Sequence, residues 1–214
     1  MQNMPPIFLV ADDHFGFRDG MALMLTKTFE ACIVHEAANG IEMLAAAANT
    51  QYDLIFADIA MPQMDGFEAT KKLIQKDNAV KIMGLSMHQD LENMVLMLHC
   101  GARGFLCKSD DKEKMYAAIQ TLLEGNYYAG GQVMSATAFL KFMKQHEHIY
   151  ASMLTHKEQE ILKLIAGAFS SKMIGAQLGL SLKTVEAHRH NIFQKTKTHN
   201  LADLIIFATK RHWV

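Results

Sequence analysis

Cysteine is scarce in this chain of 214 residues: Cys32, Cys100 and Cys107 are odd in number and show no C-x-x-C spacing. A disulfide framework or a structural zinc site is thereby excluded as the organising principle, and a reducing compartment suits the thiols. Long apolar runs are missing as well. Each one is too short to span a bilayer, and Asp12 and Asp13 interrupt the start of the chain before a signal-like segment can form. The expectation is a soluble, cytoplasmic protein with no membrane partner. Net charge is nearly absent too, at −1. That balance averages two unlike parts. Residues 1–149 carry 12 Lys/Arg against 18 Asp/Glu, whereas residues 150–214 carry nine against four. An acidic front and a basic back point to different partners, with a polyanion the candidate for the back.

What is present is apolar material, 50% of the residues, enough for a core in one or two domains. Short apolar or β-branched runs fall at 7–11, 32–37, 54–57, 80–85 and 104–106. Between them lie stretches of helical period at roughly 15–28, 40–48, 65–76, 90–100 and 110–124. Such alternation predicts an α/β domain whose parallel sheet is covered on both faces by right-handed crossovers. From 125 to 152 the pattern changes. EGNYYAGGQ reads as turn, and VMSATAFLKFMKQHEH as a helix that either connects two domains or packs on the first. Residues 153–214 read as helices only. Thr155 and Glu158 give a capping-type start, followed by a helix near 171–178, a turn at Gly179, a Ser181 cap, a helix near 182–196 and a last helix from Asn200. The middle pair has helix-turn-helix spacing.

Ligands of parallel sheets bind beyond the carboxyl ends of the strands. Asp12 and Asp13 end the first strand, Asp58 the third and Ser86 the fourth, while Lys108 follows the fifth. Three gathered carboxylates repel one another unless a cation joins them, and Mg²⁺ takes oxygen ligands of this kind. Lys108 supplies a point charge for a carboxylate or phosphoryl oxygen, and Ser86 a hydroxyl donor. These are the parts for phosphoryl transfer onto a carboxylate, with Asp58, alone on its strand, as the nucleophile.

The stretches VADDH, DIAMPQMDG, LSMH and GARGFLCK, followed by LTHKEQEIL and KTVEAHRHNIFQK, resemble a known family. Residues 4–124 look like the receiver domain of a two-component response regulator. Residues 153–214 look like the LuxR-type helix-turn-helix of the NarL/FixJ class, with 125–152 as linker. The resemblance implies a flavodoxin-like strand order, 2-1-3-4-5, followed by an all-α domain of four helices. It also implies that Asp58 accepts phosphate from a sensor histidine kinase or a phosphotransfer protein. Asp12, Asp13, Asp58 and the backbone carbonyl of Ala60 would serve Mg²⁺, and Ser86 and Phe105 would switch. Phe105 stands where the family more often has Tyr. Ala60 and His88, two positions after Asp58 and Ser86, are expected to set the lifetime of the phosphoryl group.

For the basic end the resemblance places Lys183, Thr184, Val185, Glu186, Ala187, His190 and Asn191 on or near a face for double-stranded promoter DNA. Val185 reads better as core. Glu186, His190 and Ala187 can meet cytosine N4, guanine and a thymine methyl, while Lys183, Arg189 and Lys195 suit phosphate or solvent. Gly175 stands where the family has Ala, which predicts a slightly weaker helix. Leu201, Leu204, Ile205 and Ala208 either complete the core or pair two chains, and the resemblance favours a homodimer reading two half-sites.

The reading is a phosphorylation-switched transcription factor that is not an enzyme. One alternative keeps DNA binding and makes the first domain structural. Another, a Mg²⁺-dependent phosphatase, wants an Asp-x-Asp pair after the first strand, which ADDHFGF lacks.

Overall fold

The computed structural model describes residues 5–147, 149, 154, 156–196 and 198–210. Thr155, the expected cap of the first C-terminal helix, lies outside the described residues. The chain divides into two compact units, Met1–Glu147 and His148–Val214.

In the first unit the strands β1 (Ile7–Ala11), β2 (Ile33–Ala37), β3 (Leu54–Asp58), β4 (Ile82–Ser86) and β5 (Gly104–Cys107) alternate with five helices. These are α1 (Phe15–Thr28), α2 (Gly40–Asn49), α3 (Gly66–Lys76), α4 (Leu91–His99) and α5 (Lys112–Leu123). The five strands are parallel and stand in the order β2-β1-β3-β4-β5. Alternation along each strand sorts the core into two layers. Phe8, Val10, Leu54 and Phe56 pack with Met21 and Leu25 of α1 and Ile119 and Leu122 of α5. Leu9, Ala11, Ile55 and Ala57 face the other way, against Met43 of α2, Leu73 of α3 and Met97 of α4. Both faces of β3 are buried along all five residues, so its apolar run is the mount for the acid that ends it.

The turn-rich reading of EGNYYAGGQ is corrected. Tyr127–Ala129 (β6) and Gln132–Met134 (β7) form a hairpin that extends the sheet to seven strands. Gly130 and Gly131 both have positive φ (59° and 75°), the left-handed pair that a two-residue hairpin turn requires. β6 runs parallel to β5, held through Tyr128 opposite Gly104. The next helix, α6 (Ala136–Gln145), places Phe139, Phe142 and Met143 on the α2–α3–α4 side of this core, and Phe139 stacks on Tyr127 at 4.0 Å.

The second unit contains α7 (His156–Ala166), α8 (Ser171–Leu178), α9 (Leu182–Thr196) and α10 (Leu201–Lys210). Ile161, Leu162, Ile165, Ile174, Val185, Ile192, Leu204 and Ala208 form its core. Each fully buried side chain of this size contributes roughly 1.5–3 kcal/mol. Ser181 caps α9 by accepting from the Thr184 amide at 3.1 Å, and Asn200 caps α10 by accepting from that of Asp203 at 2.9 Å.

Candidate functional site

The loops after β1, β3, β4 and β5 bring the expected polar residues to one end of the sheet. Asp12, Asp58 and Lys108 have side chains only 0, 3 and 4% exposed, so three ionisable groups share a nearly dry site. Lys108 Nζ lies 2.5 Å from Asp12 Oδ2 and 2.9 Å from Asp58 Oδ2. Burial raises the Asp58 carboxyl above its ordinary range; the Lys108 contact opposes this, and the Asp12 charge adds to it. For Lys108 burial acts to lower the ammonium, but contact with both carboxylates outweighs it and the net direction is up.

The site approaches α3 closely. A Cβ on Gly66 would meet the Asp58 carbonyl oxygen at 2.1 Å, so only glycine lets the helix start against the end of β3. Asp65 then caps α3, accepting from the Glu68 amide at 2.8 Å. Ala60 and His88 are both exposed at the mouth, and the Ala60 amide points to Asp58 Oδ1 at 3.4 Å. Ser86 is buried, its Oγ accepting from the His88 amide at 3.1 Å. Phe105 is buried in the α2–α3–α4 layer beside Met97 and Gly84.

Sequence reasoning missed three neighbours. His14 Nδ1 lies 2.8 Å from Asp13 Oδ1 and 3.2 Å from Asp12 Oδ1. Arg18 donates to the Asp12 carbonyl at 2.7 Å and to Glu36 at 2.9 Å, which ties down the loop after β1. The Phe17 ring has Lys108 Nζ 4.8 Å from its centroid, a cation–π arrangement. His14 was legible as the residue after the Asp-Asp pair in VADDH; the other two needed the helix direction of α1.

Potential ligand atoms of Asp12, Asp13, His14 and Asp58 all lie within 4.8 Å of one another. Three carboxylates gather where one lysine contacts two of them, an excess of negative charge that a hard divalent cation fits through its preference for oxygen ligands. Asp12, Asp13 and Asp58 are the residues that would supply those oxygens.

On α9 the outward stripe is Lys183, Thr184, Glu186, Ala187, His190 and Asn191, all exposed, with Arg189 half-buried. Val185 is fully buried and belongs to the core. Lys195, expected at phosphate or solvent, has its Nζ paired with buried Glu158 at 2.7 Å. A Cβ on Gly175 would meet the Leu180 carbonyl oxygen at 2.7 Å. The residue is thus the seat of the α8–α9 turn, which revises its reading as a mere weak spot. Leu204 and Ala208 are fully buried in their own unit, so this half of the expected pairing face is core. Leu201 (44%) and Ile206 (56%) are exposed large apolar residues of α10, with Ile205 half-buried.

Comparison with known proteins assigns each unit to a known family. Residues 8–120 match the family described as response regulator receiver domain, and residues 152–208 match bacterial regulatory proteins of the luxR family. The chain is a response regulator. It carries a LuxR-type DNA-binding domain and belongs with the NarL- and DegU-type transcription regulators. It is 29% identical to the transcriptional regulatory protein DegU of Brevibacillus brevis, covering 96% of this chain and 94% of that one. Identity is 30% to the oxygen regulatory protein NreC of Staphylococcus carnosus, with 95% and 96% covered. A solved LuxR-family response regulator from Aurantimonas sp. SI85-9A1 is 26% identical, with TM-score 0.56, over 67% of this regulator and 99% of that chain. The structure of RcsB from Salmonella enterica serovar Typhimurium, bound to promoter rprA with phosphomimetic BeF3⁻, shares the fold. There the TM-score is 0.63 at 20% identity, over 95% and 98% of the chains. Among the described residues no helix of the regulator is long and apolar enough to cross a membrane.

Proposed function

We propose that Asp58 is the phosphoryl acceptor of a two-component system and that its modification controls promoter binding by α9. The observation that carries this reading is the buried Asp12–Lys108–Asp58 contact beside Asp13, a charge-unbalanced site at the open end of a parallel sheet. A carboxylate oxygen of Asp58 attacks the phosphorus of a phospho-imidazole on a sensor histidine kinase or phosphotransfer protein. The Asp58 O–P bond forms, the donor N–P bond breaks, and the released imidazole nitrogen takes up a proton. Mg²⁺, held by Asp12, Asp13, Asp58 and the Ala60 carbonyl, supplies charge neutralisation when bound. Lys108 keeps contact with the acceptor and offers its ammonium to a phosphoryl oxygen. Ser86 turns its hydroxyl to the same group, and Phe105 follows it as the switch residue.

On the second unit Lys183, Thr184, Glu186, Ala187, His190 and Asn191 read base edges or phosphate, with Arg189 alongside. Lys195 serves chiefly to hold Glu158. A homodimer presents two such helices to half-sites one turn apart, and Leu201 and Ile205 remain available for pairing. The regulator acts in the cytoplasm and turns over no substrate.

The test is selection of duplexes from a random pool, with and without a small phosphodonor and Mg²⁺. Enriched sequence, tighter binding and a shift to dimer in the phosphorylated arm support the reading. Equal affinity and equal oligomeric state in both arms overturn it.

A further inference from the structure

Lys108 touches the acceptor at 2.9 Å while Ser86 ends the neighbouring strand β4, and their separation decides whether both can engage one phosphoryl group. Backbone pairing fixes them only at the base, where the Lys108 amide donates to the Ser86 carbonyl at 2.7 Å. Beyond that point the loops after β4 and β5 are joined by a buried acid that phosphoryl transfer does not use. Asp110, with a side chain 9% exposed, bridges them. Its Oδ1 accepts from Gln89 Nε2 at 2.8 Å, and its Oδ2 from the Cys107 amide at 2.9 Å. Gln89 belongs to the Ser86 loop, and Cys107 is the residue before Lys108. A second tie runs beside the first, the Cys107 thiol donating to the Met87 carbonyl at 3.4 Å while lying 2.9 Å from Ser109 Oγ. Lys114 Nζ, at 3.6 Å, adds charge support from the start of α5.

We propose that Asp110 is a positioning residue of the phosphoryl site, stapling the Ser86 loop to the Lys108 loop so that both donors reach one phosphoryl group together. The inference rests on the acceptor role of Asp58. A pre-set pair of donors spends no binding energy on ordering the loops, so the staple strengthens capture of the phosphoryl group. The hydrogen bonds of the staple run to Gln89 and Cys107 and not to the carboxylates that would hold a metal. Asp110 also borders a cavity of about 320 Å³ together with Phe105, so shortening its side chain adds space and no clash.

The experiment measures Mg²⁺-dependent beryllofluoride affinity of the full chain by calorimetry, alongside Mg²⁺ affinity alone. Asp110→Ala and Gln89→Leu, the latter at an exposed position, are expected to weaken beryllofluoride roughly fivefold, the equivalent of one hydrogen bond, with Mg²⁺ affinity unchanged. Asp110→Asn is expected to restore binding to within about twofold. Its amide oxygen accepts from the Cys107 amide, and its NH₂ donates to a flipped Gln89 carbonyl. Wild-type affinity in both breaking variants, or an Asn variant as weak as the Ala variant, overturns the staple and leaves the acceptor role standing. Beryllofluoride binding that is absent from the unaltered protein, or retained by Asp58→Asn, overturns both.

Discussion

Each unit buries acid against lysine, and the two do so with opposite bookkeeping. In the second unit Glu158 is paired with Lys195 at 2.7 Å, across α7 and α9. In the first unit one lysine, Lys108, contacts both Asp12 and Asp58, with Asp13 and His14 close by. A partly buried pair of opposite charges fixes the orientation of one helix on another, and its removal is felt as stability. An unbalanced cluster costs folding energy and keeps a standing attraction for a cation and for chemistry at the acceptor. On the proposed function, the same residue types serve structure in one unit and reactivity in the other.

The comparison breaks most visibly at Asp58. Asp58→Asn is expected to abolish phosphoryl incorporation from a small phosphodonor while raising the metal-free melting midpoint by ~3 °C, measured by labelling and calorimetry in parallel. A stabilised but inert protein is the signature of an unbalanced site. Glu158→Ala is its mirror image. It strands Lys195, 28% exposed, at the α7–α9 junction and is expected to destabilise the second unit by ~2 kcal/mol, with beryllofluoride binding untouched. Denaturant melts followed by hydrogen exchange in each unit separate the two outcomes.

The pH response sharpens the contrast. The Asp58 carboxyl, raised chiefly by burial, holds its proton more tightly in the folded state than in the unfolded one. Between the ordinary value of 3.8 and the raised one, the folded state binds more protons, so stability falls as pH rises through that window. Wild-type minus Asp58→Asn stability, measured without metal, is expected to decline with rising pH there and then level off. The smallest effects belong to the mouth of the site. Ala60→Arg and His88→Ala are each expected to change the decay rate of the phosphorylated protein a few-fold through water access, on the order of 1 kcal/mol in the barrier. Decay unchanged in both variants removes that role.

Much of this was legible in the sequence because period and strand ends carry it. The run 54–57 ending on Asp58 predicted a strand buried on both faces, and the polar residues at the ends of β1, β3, β4 and β5 converge as topology requires. The hairpin was not legible as such. β6 meets β5 through a single residue pair, and its Gly130-Gly131 turn reads like a linker until the flanking tyrosines are given a sheet edge. Leu204 and Ala208 illustrate a different limit. An apolar stripe on a last helix has the same period whether it closes its own core or meets a second copy, and only the packing against the other helices decides. Lys195 is hidden in the same way, since its partner Glu158 lies 37 residues away. Asp110 was read as part of a helix start, whereas its side chain spans two loops that no local pattern relates.

The proposed role of the unbalanced cluster is to accept a phosphoryl group at one residue, Asp58. It is tested most directly by incubating the full chain with a small phosphodonor and Mg²⁺, then mapping the modified peptide by mass spectrometry. The expected result is a single phosphoryl on the segment containing Asp58, lost when Mg²⁺ is chelated and absent from Asp58→Asn. A phosphoryl group elsewhere, or incorporation that survives Asp58→Asn, would contradict it.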